Sequence, residues 1–233
     1  IRTGIDGIAS TSADLLPHGK YRIEETEAPD GYLTDGVKPI DFSITENGKI
    51  VDLTDEAHSI YNQIKRGDIE GVKIGTGTHQ RLADVPFRIT SKTTGESHVI
   101  VTDKNGQFST SSEWASHKHN TNAGQTSEDG IWFGTSEPDD SKGALLYDTY
   151  IIEELRCESN KGFQLIPPFE IIVSRNNLVI DLGTLTDDYE EEISIHTTAT
   201  SKDGEKSVVA GKEVTIIDTV KLDGLKKGTK YQL

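Results

Sequence analysis

Residues 21–32 read YRIEETEAPDGY. The first five alternate as a half-buried strand does, with Tyr21, Ile23 and Glu25 on one face and Arg22 and Glu24 on the other. A carboxylate that shares a face with Tyr and Ile is costly to bury unless something pairs with it. The stretch therefore predicts a strand and poses a question about Glu25. Working outward, the same short alternation recurs in PIDFSI (39–44), GKIVDL (48–53), SIYNQI (59–64), VPFRITS (85–91), SHVIVT (97–102), YIIEEL (150–155), FEIIVS (169–174) and LVIDLG (178–183). Helical periodicity is nearly absent. Asn47-Gly48 and Asn105-Gly106 lie between such runs, where tight hairpin turns are expected. The pattern predicts an all-β chain of tandem immunoglobulin-like sandwiches.

Composition narrows the function. A chain of 233 residues fits one large domain or two to three small ones. Hydrophobic residues make up 33% and mean hydropathy is −0.50, which suits thin β-domains better than an enzyme with a deep pocket. The formal charge of −15 argues against nucleic acid or anionic lipid as a partner, because both need Lys and Arg against phosphate. One cysteine, Cys157, rules out a disulfide within the chain and is read as structural. No apolar run is long enough to span a membrane, and no secretory leader is visible. With no methionine and an opening IRTGIDG, the chain reads as a piece of a longer protein.

An internal repeat organises it. Residues 15–56, LLPHGKYRIEETEAPDGYLTDGVKPIDFSITENGKIVDLTDE, run parallel to residues 145–188, LLYDTYIIEELRCESNKGFQLIPPFEIIVSRNNLVIDLGTLTDD. Upstream, IRTGIDGIASTS (1–12) corresponds to IVTDKNGQFSTS (100–111). The second copy carries a polar insertion at about 112–142. It also has opening strands, from near Ile69, that the first copy lacks. Three units follow: 1–66, lacking its opening strands; 67–192, with the insertion; and 193–233, the first strands of another domain.

The motif Gly-x-Tyr-x-x-x-Glu-x-x-x-Pro-x-Gly-Tyr is filled by Gly19, Tyr21, Glu25, Pro29, Gly31 and Tyr32. In this the chain resembles the prealbumin-like B-type (SpaA-like) repeats of Gram-positive collagen-binding surface proteins and pilins. In the second copy Tyr150 and Glu154 persist, but the turn has become CESNKGF. The last segment carries Ile195, Thr197 and Ala199, then Ile216, Asp218 and Val220, then Gly224, Leu225, Gly228 and Tyr231. It is similar to the opening of the Thr–Gln ester-bond (VaFE-type) domains of clostridial and related adhesins.

The first resemblance implies a self-made crosslink: a buried Lys amine attacks an Asn side-chain amide, ammonia leaves, and a nearby carboxyl group shuttles protons. Folding holds the pair in contact, so a normally inert amide reacts once. In the first unit the resemblance makes Glu25 the shuttle and Asn62 the acceptor. Asn62 shares a face with Ile60 and Ile64, and the Lys is expected from an opening strand. In the second unit Lys73 takes the nucleophile position, although Val72 and Ile74 face the other way, and Glu154 repeats Glu25. The repeat places His196, not Asn, near the acceptor slot. Lys73 and Glu154 then form a buried ion pair, or an Asp or Asn elsewhere accepts; the reading expects no bond. In the third unit the second resemblance makes Thr197 the nucleophile and Asp218 its proton shuttle, with a Gln acceptor beyond Leu233. Gln232 is too early in the chain for that role. Such ties would remove chain entropy and stop end strands from peeling, which suits a cysteine-poor extracellular stalk.

Other signals are weaker. His117 and His119, with Asp139 and Asp140, raise a metal site, but a solvated loop is the commoner reading, and no cofactor or metal is expected. TDKNG (102–106) opens like a calcium loop, yet a hairpin turn suffices. Trp114, Trp132 and Phe133 in the insertion would make a binding surface for a host matrix protein or glycan if exposed, and a satellite core if tucked in. The sequence thus reads as a non-enzymatic stalk segment of a surface protein, tied covalently to the cell wall through its parent chain. The alternative is an adhesive module acting through residues 112–142.

Overall fold

The structure, a computed structural model, describes all residues except 78, 121–129, 191, 192, 226, 227, 229 and 231–233. Its described elements are strands apart from one short 3-10 turn, Glu56–His58. No helix among the described residues is long and apolar enough to cross a membrane.

Four short strands come first: β1 (Gly19–Ile23), β2 (Tyr32–Leu33), β3 (Ile40–Ile44) and β4 (Gln63–Ile64). β1 pairs antiparallel with β3, so that Tyr21 faces Phe42 and their rings stack at 5.4 Å. β2 pairs with β4 through Tyr32 and Ile64. The alternation read in the sequence is present, but its apolar face is only half-buried. Gly48 takes the positive φ of a turn, while residues 49–53 form no strand, so Asn47-Gly48 is a turn without a hairpin. SIYNQI forms a strand only at its end, in β4.

The core lies between residues 66 and 189. One sheet has the order β12 (Phe169–Val173), β10 (Asp148–Glu154), β6 (Pro86–Ser91), β7 (Ser97–Val101). The facing sheet has the order β11 (Phe163–Gln164), β13 (Leu178–Tyr189), β5 (Arg66–Gly75), β8 (Gln107–Ser109), with β9 (Leu145–Leu146) also on β5. Phe87, Ile89, Ile100, Phe108, Tyr150 and Ile152 fill the space between, all 1% exposed or less. β5 and β13 run parallel, with Leu178 opposite Gly67 and Leu185 opposite Lys73. A bulge at 181–184 holds Gly183 at φ +64. β5 is buried along almost its whole length, as expected of a strand covered on both faces. Asn105-Gly106 joins β7 to β8, which belong to different sheets. It is therefore a crossover turn rather than the expected hairpin.

The described part of the insertion is solvated at some residues and packed into the core at others. Ile131 and Phe133 are fully buried, and Phe133 meets Tyr150 edge-on at 4.9 Å. Arg66 lies 3.6 Å over the Trp132 ring and donates to the carbonyls of Phe133, Gly143 and Ala144. Ile131 and Phe133 therefore belong to the main core rather than to a satellite one, and the buried guanidinium, bonded in this way, ties Trp132 to it.

β14 (Ser194–Ser201) and β15 (Ile216–Asp223) form an antiparallel pair with mostly exposed side chains.

Candidate functional site

Lys73 comes from β5, Glu154 from the end of β10 and Asp187 from β13. All three side chains are fully buried. Lys73 Nζ donates to Asp187 Oδ1 and lies 3.1 Å from Glu154 Oε2. β5 and β13 are neighbours in one sheet, and β10 reaches the trio from the other, so the site bridges the sandwich. Glu154 is held from behind as well. Its Oε1 accepts from Asn160 Nδ2 at 2.9 Å, and Oε2 accepts from the Ile166 N–H at 3.1 Å.

One ammonium and two carboxylates would leave a net negative charge in a dry interior, which is expensive. The cost falls when the trio takes up a proton. Burial pushes the Asp187 carboxyl up to about 6, and the neighbouring Glu154 adds to the rise while Lys73 opposes it. Asp187 Oδ2 is buried without a hydrogen-bond partner, so it is the oxygen on which that proton can reside. A lysine Nζ held on a buried carboxyl group, with a second carboxyl group beside it, is an arrangement in which an amide can form.

Sequence reasoning misses Asp187, because the repeat places His196 in the slot. The strand register corrects this. In the first unit Tyr32 pairs with Ile64, two residues after Asn62. In the second, Phe163 pairs with Tyr189, two residues after Asp187. The next backbone bond repeats as well, Lys65 N–H to Gly31 O and Glu190 N–H to Gly162 O. Asp187 is thus the counterpart of Asn62, whereas His196 sits exposed on β14 opposite Lys221. The signal was available: Leu185, Asp187 and Tyr189 alternate on one face, as Tyr21, Ile23 and Glu25 do.

Glu25 and Asn62 also meet. Asn62 Nδ2 donates to Glu25 Oε2 at 2.5 Å and to Leu33 O at 3.1 Å. Both are half-buried, and no lysine among the described residues pairs with them. Thr197 and Asp218 fall on one face of the β14–β15 pair, through Thr197 opposite Val220 and Ala199 opposite Asp218, and both are exposed. Tyr231 and Gln232 lie outside the described residues.

The insertion's candidates separate. His117 is buried and bonds through Nε2 to Lys142 O at 2.7 Å, whereas His119 is exposed. No group of three metal-ligating side chains occurs among the described residues. Trp132 and Phe133 are tucked in, and Trp114 is 39% exposed. Cys157 is half-buried in the turn that carries Asn160.

Comparison with known proteins adds the following. The chain aligns with the Bacillus anthracis TIE protein at a TM-score of 0.50 and 18% identity, over 94% of this chain and 37% of that one. It also aligns with BcpA, the major pilin subunit of Bacillus cereus, at 0.33, 17% identity, and 58% and 36% coverage. SpaD of Corynebacterium diphtheriae aligns at 0.32, 14% identity, and 62% and 34% coverage. The first likeness supports the fold; the other two are too distant to carry an argument. The chain spans little more than a third of each of these proteins. No curated protein matches it in sequence. Two family models do match, each over its own segment: residues 1–57 match the prealbumin-like fold domain SpaA, and residues 193–233 match the T-Q ester bond containing domain.

Proposed function

We propose that this chain is a structural stalk segment of a Gram-positive surface protein of the pilin or adhesin type, and that its second unit crosslinks itself. The observation that carries the proposal is the fully buried Lys73 in contact with both Asp187 and Glu154. In the reaction, with Asp187 protonated, Glu154 takes a proton from the Lys73 ammonium and the freed amine attacks Asp187 Cγ. Glu154 passes that proton to the departing hydroxyl and takes the second amine proton in its place, so the net charge of the site is unchanged. One C–N bond forms, one C–O bond breaks, and one water leaves. The acceptor is an acid, so the leaving group is water rather than the ammonia expected for Asn62. The first unit holds the other half of such a site, Glu25 on Asn62, and would close with ammonia loss once a lysine reaches it. Thr197 and Asp218 take the corresponding parts in an ester-bond unit. Each reaction turns over once, so the chain is no enzyme in the usual sense. Placement on the cell wall through the parent chain belongs to the same reading.

Intact mass under denaturing conditions tests it. The wild-type chain should be lighter than its sequence by one water, and Lys73→Ala, Glu154→Ala and Asp187→Ala should each restore the full mass. An unmodified wild-type mass would make the trio a buried ion cluster and nothing more. The tucked-in Trp132 and Phe133 weigh against the adhesive reading of the insertion.

A further inference from the structure

Among the buried polar groups outside the reacting trio, Asn160 is bonded directly to it. Its side chain is fully buried, and both ends of its amide are bonded. Nδ2 donates to Glu154 Oε1 and to Leu155 O, each at 2.9 Å, and Oδ1 accepts from the Cys157 N–H at 2.8 Å. Its own carbonyl accepts from Arg156 Nη1 and the Phe163 N–H, which fixes the turn between β10 and β11. This is the turn CESNKGF, where the first unit has APDGY.

We propose that Asn160 is a positioning residue for the crosslink of the second unit, acting through Glu154. The inference rests on the amide reading above. An amide N–H on Oε1 occupies that oxygen with a donor that cannot accept a proton. Proton traffic is thereby directed to Oε2, the oxygen 3.1 Å from Lys73 Nζ. The Ile166 N–H on Oε2 fixes the carboxylate plane from the other edge. The turn that departs from the Pro-x-Gly-Tyr pattern thus supplies its own orienting group.

The test separates orientation from folding. Asn160→Asp keeps an oxygen for the Cys157 N–H and removes the donor to Glu154, whereas Asn160→Ala removes both. The full chain is made with photocaged lysine at position 73, uncaged in urea and diluted into buffers of graded pH. Loss of water is followed by intact mass. One lost hydrogen bond to a charged group should slow closure of Asn160→Asp roughly tenfold to a hundredfold at neutral pH. Relative to wild type it should recover in acid, where the introduced carboxyl group, once protonated, can again donate. Closure of Asn160→Asp and Asn160→Ala at wild-type rate would overturn the role of Asn160 and leave the amide standing. Equal slowing of Asn160→Asp at every pH would also overturn it, since a merely structural defect shows no acid rescue. A wild-type chain that never loses water would sink the amide reading and this inference with it.

Discussion

Burial denies the Asp187 carboxylate water and the neighbouring Glu154 adds to the effect, so the carboxyl group is raised to about 6 and carries a proton below that pH. That proton makes the carboxyl carbon electrophilic and its hydroxyl a leaving group. Closure of the amide should therefore slow as pH rises through about 6, where Asp187 ionises. The same uncaging experiment, run on wild type from about pH 4 to 9 to bracket that ionisation, reads this directly; a rate flat across that range would count against the neutral acid. Asp187→Asn provides a second check at this scale. It should close by losing ammonia, finish at the same mass as the wild-type product, and show no fall in rate near the Asp187 ionisation. The residue scale is also where the sequence was most and least informative. Glu25 and Asn62 could be paired from face alternation and a filled motif, and the structure places them 2.5 Å apart. Lys73 looked poorly placed because Val72 and Ile74 alternate against it, yet β5 is covered on both faces, so neither face of that strand is outside.

Elements explain why Asp187 was missed. The first unit breaks between VDL and its closing strand with the turn Glu56–His58, whereas β13 continues through twelve residues with only the bulge at 181–184. An alignment that ignores this difference carries the acceptor slot past the end of β13 and lands on His196. Face alternation makes Asp187 a candidate, but its match to Asn62 comes from the cross-strand register, a property of pairs that a single strand's sequence does not contain. Turn signals were similarly half-legible. Asn105-Gly106 marks a turn correctly, but which sheet the next strand joins is decided by core packing. The parallel pairing of β5 and β13 needs close backbone approach at Gly67, where an added Cβ would lie 2.5 Å from Leu178 O. Gly67→Ala must push the two strands apart near their start. It should cost about 1–3 kcal/mol, seen as a lower midpoint in urea. An unchanged midpoint would mean that β5 and β13 yield at no cost.

At the scale of the whole molecule, the second unit holds the buried core, while the described side chains of the first and third units are nearly all half-buried or exposed. Joining Lys73 to Asp187 would close a loop of more than about a hundred residues and stabilise the fold by roughly 5 kcal/mol on the chain-entropy account. Lys73→Ala should then melt well below wild type in calorimetry, and further below than the loss of one buried ion pair would produce. Such a closure also changes the connectivity of the insertion. Arg66 stacked on Trp132, and Phe133 in the core, anchor that segment by packing alone. With the amide in place, the insertion belongs to a covalent macrocycle. A protease cut within residues 112–142 would open the ring without dividing the protein. The nicked chain should run as one species in denaturant, heavier by one water, where Lys73→Ala falls into two fragments. A surface segment carried this way can be cleaved without detaching what lies beyond it.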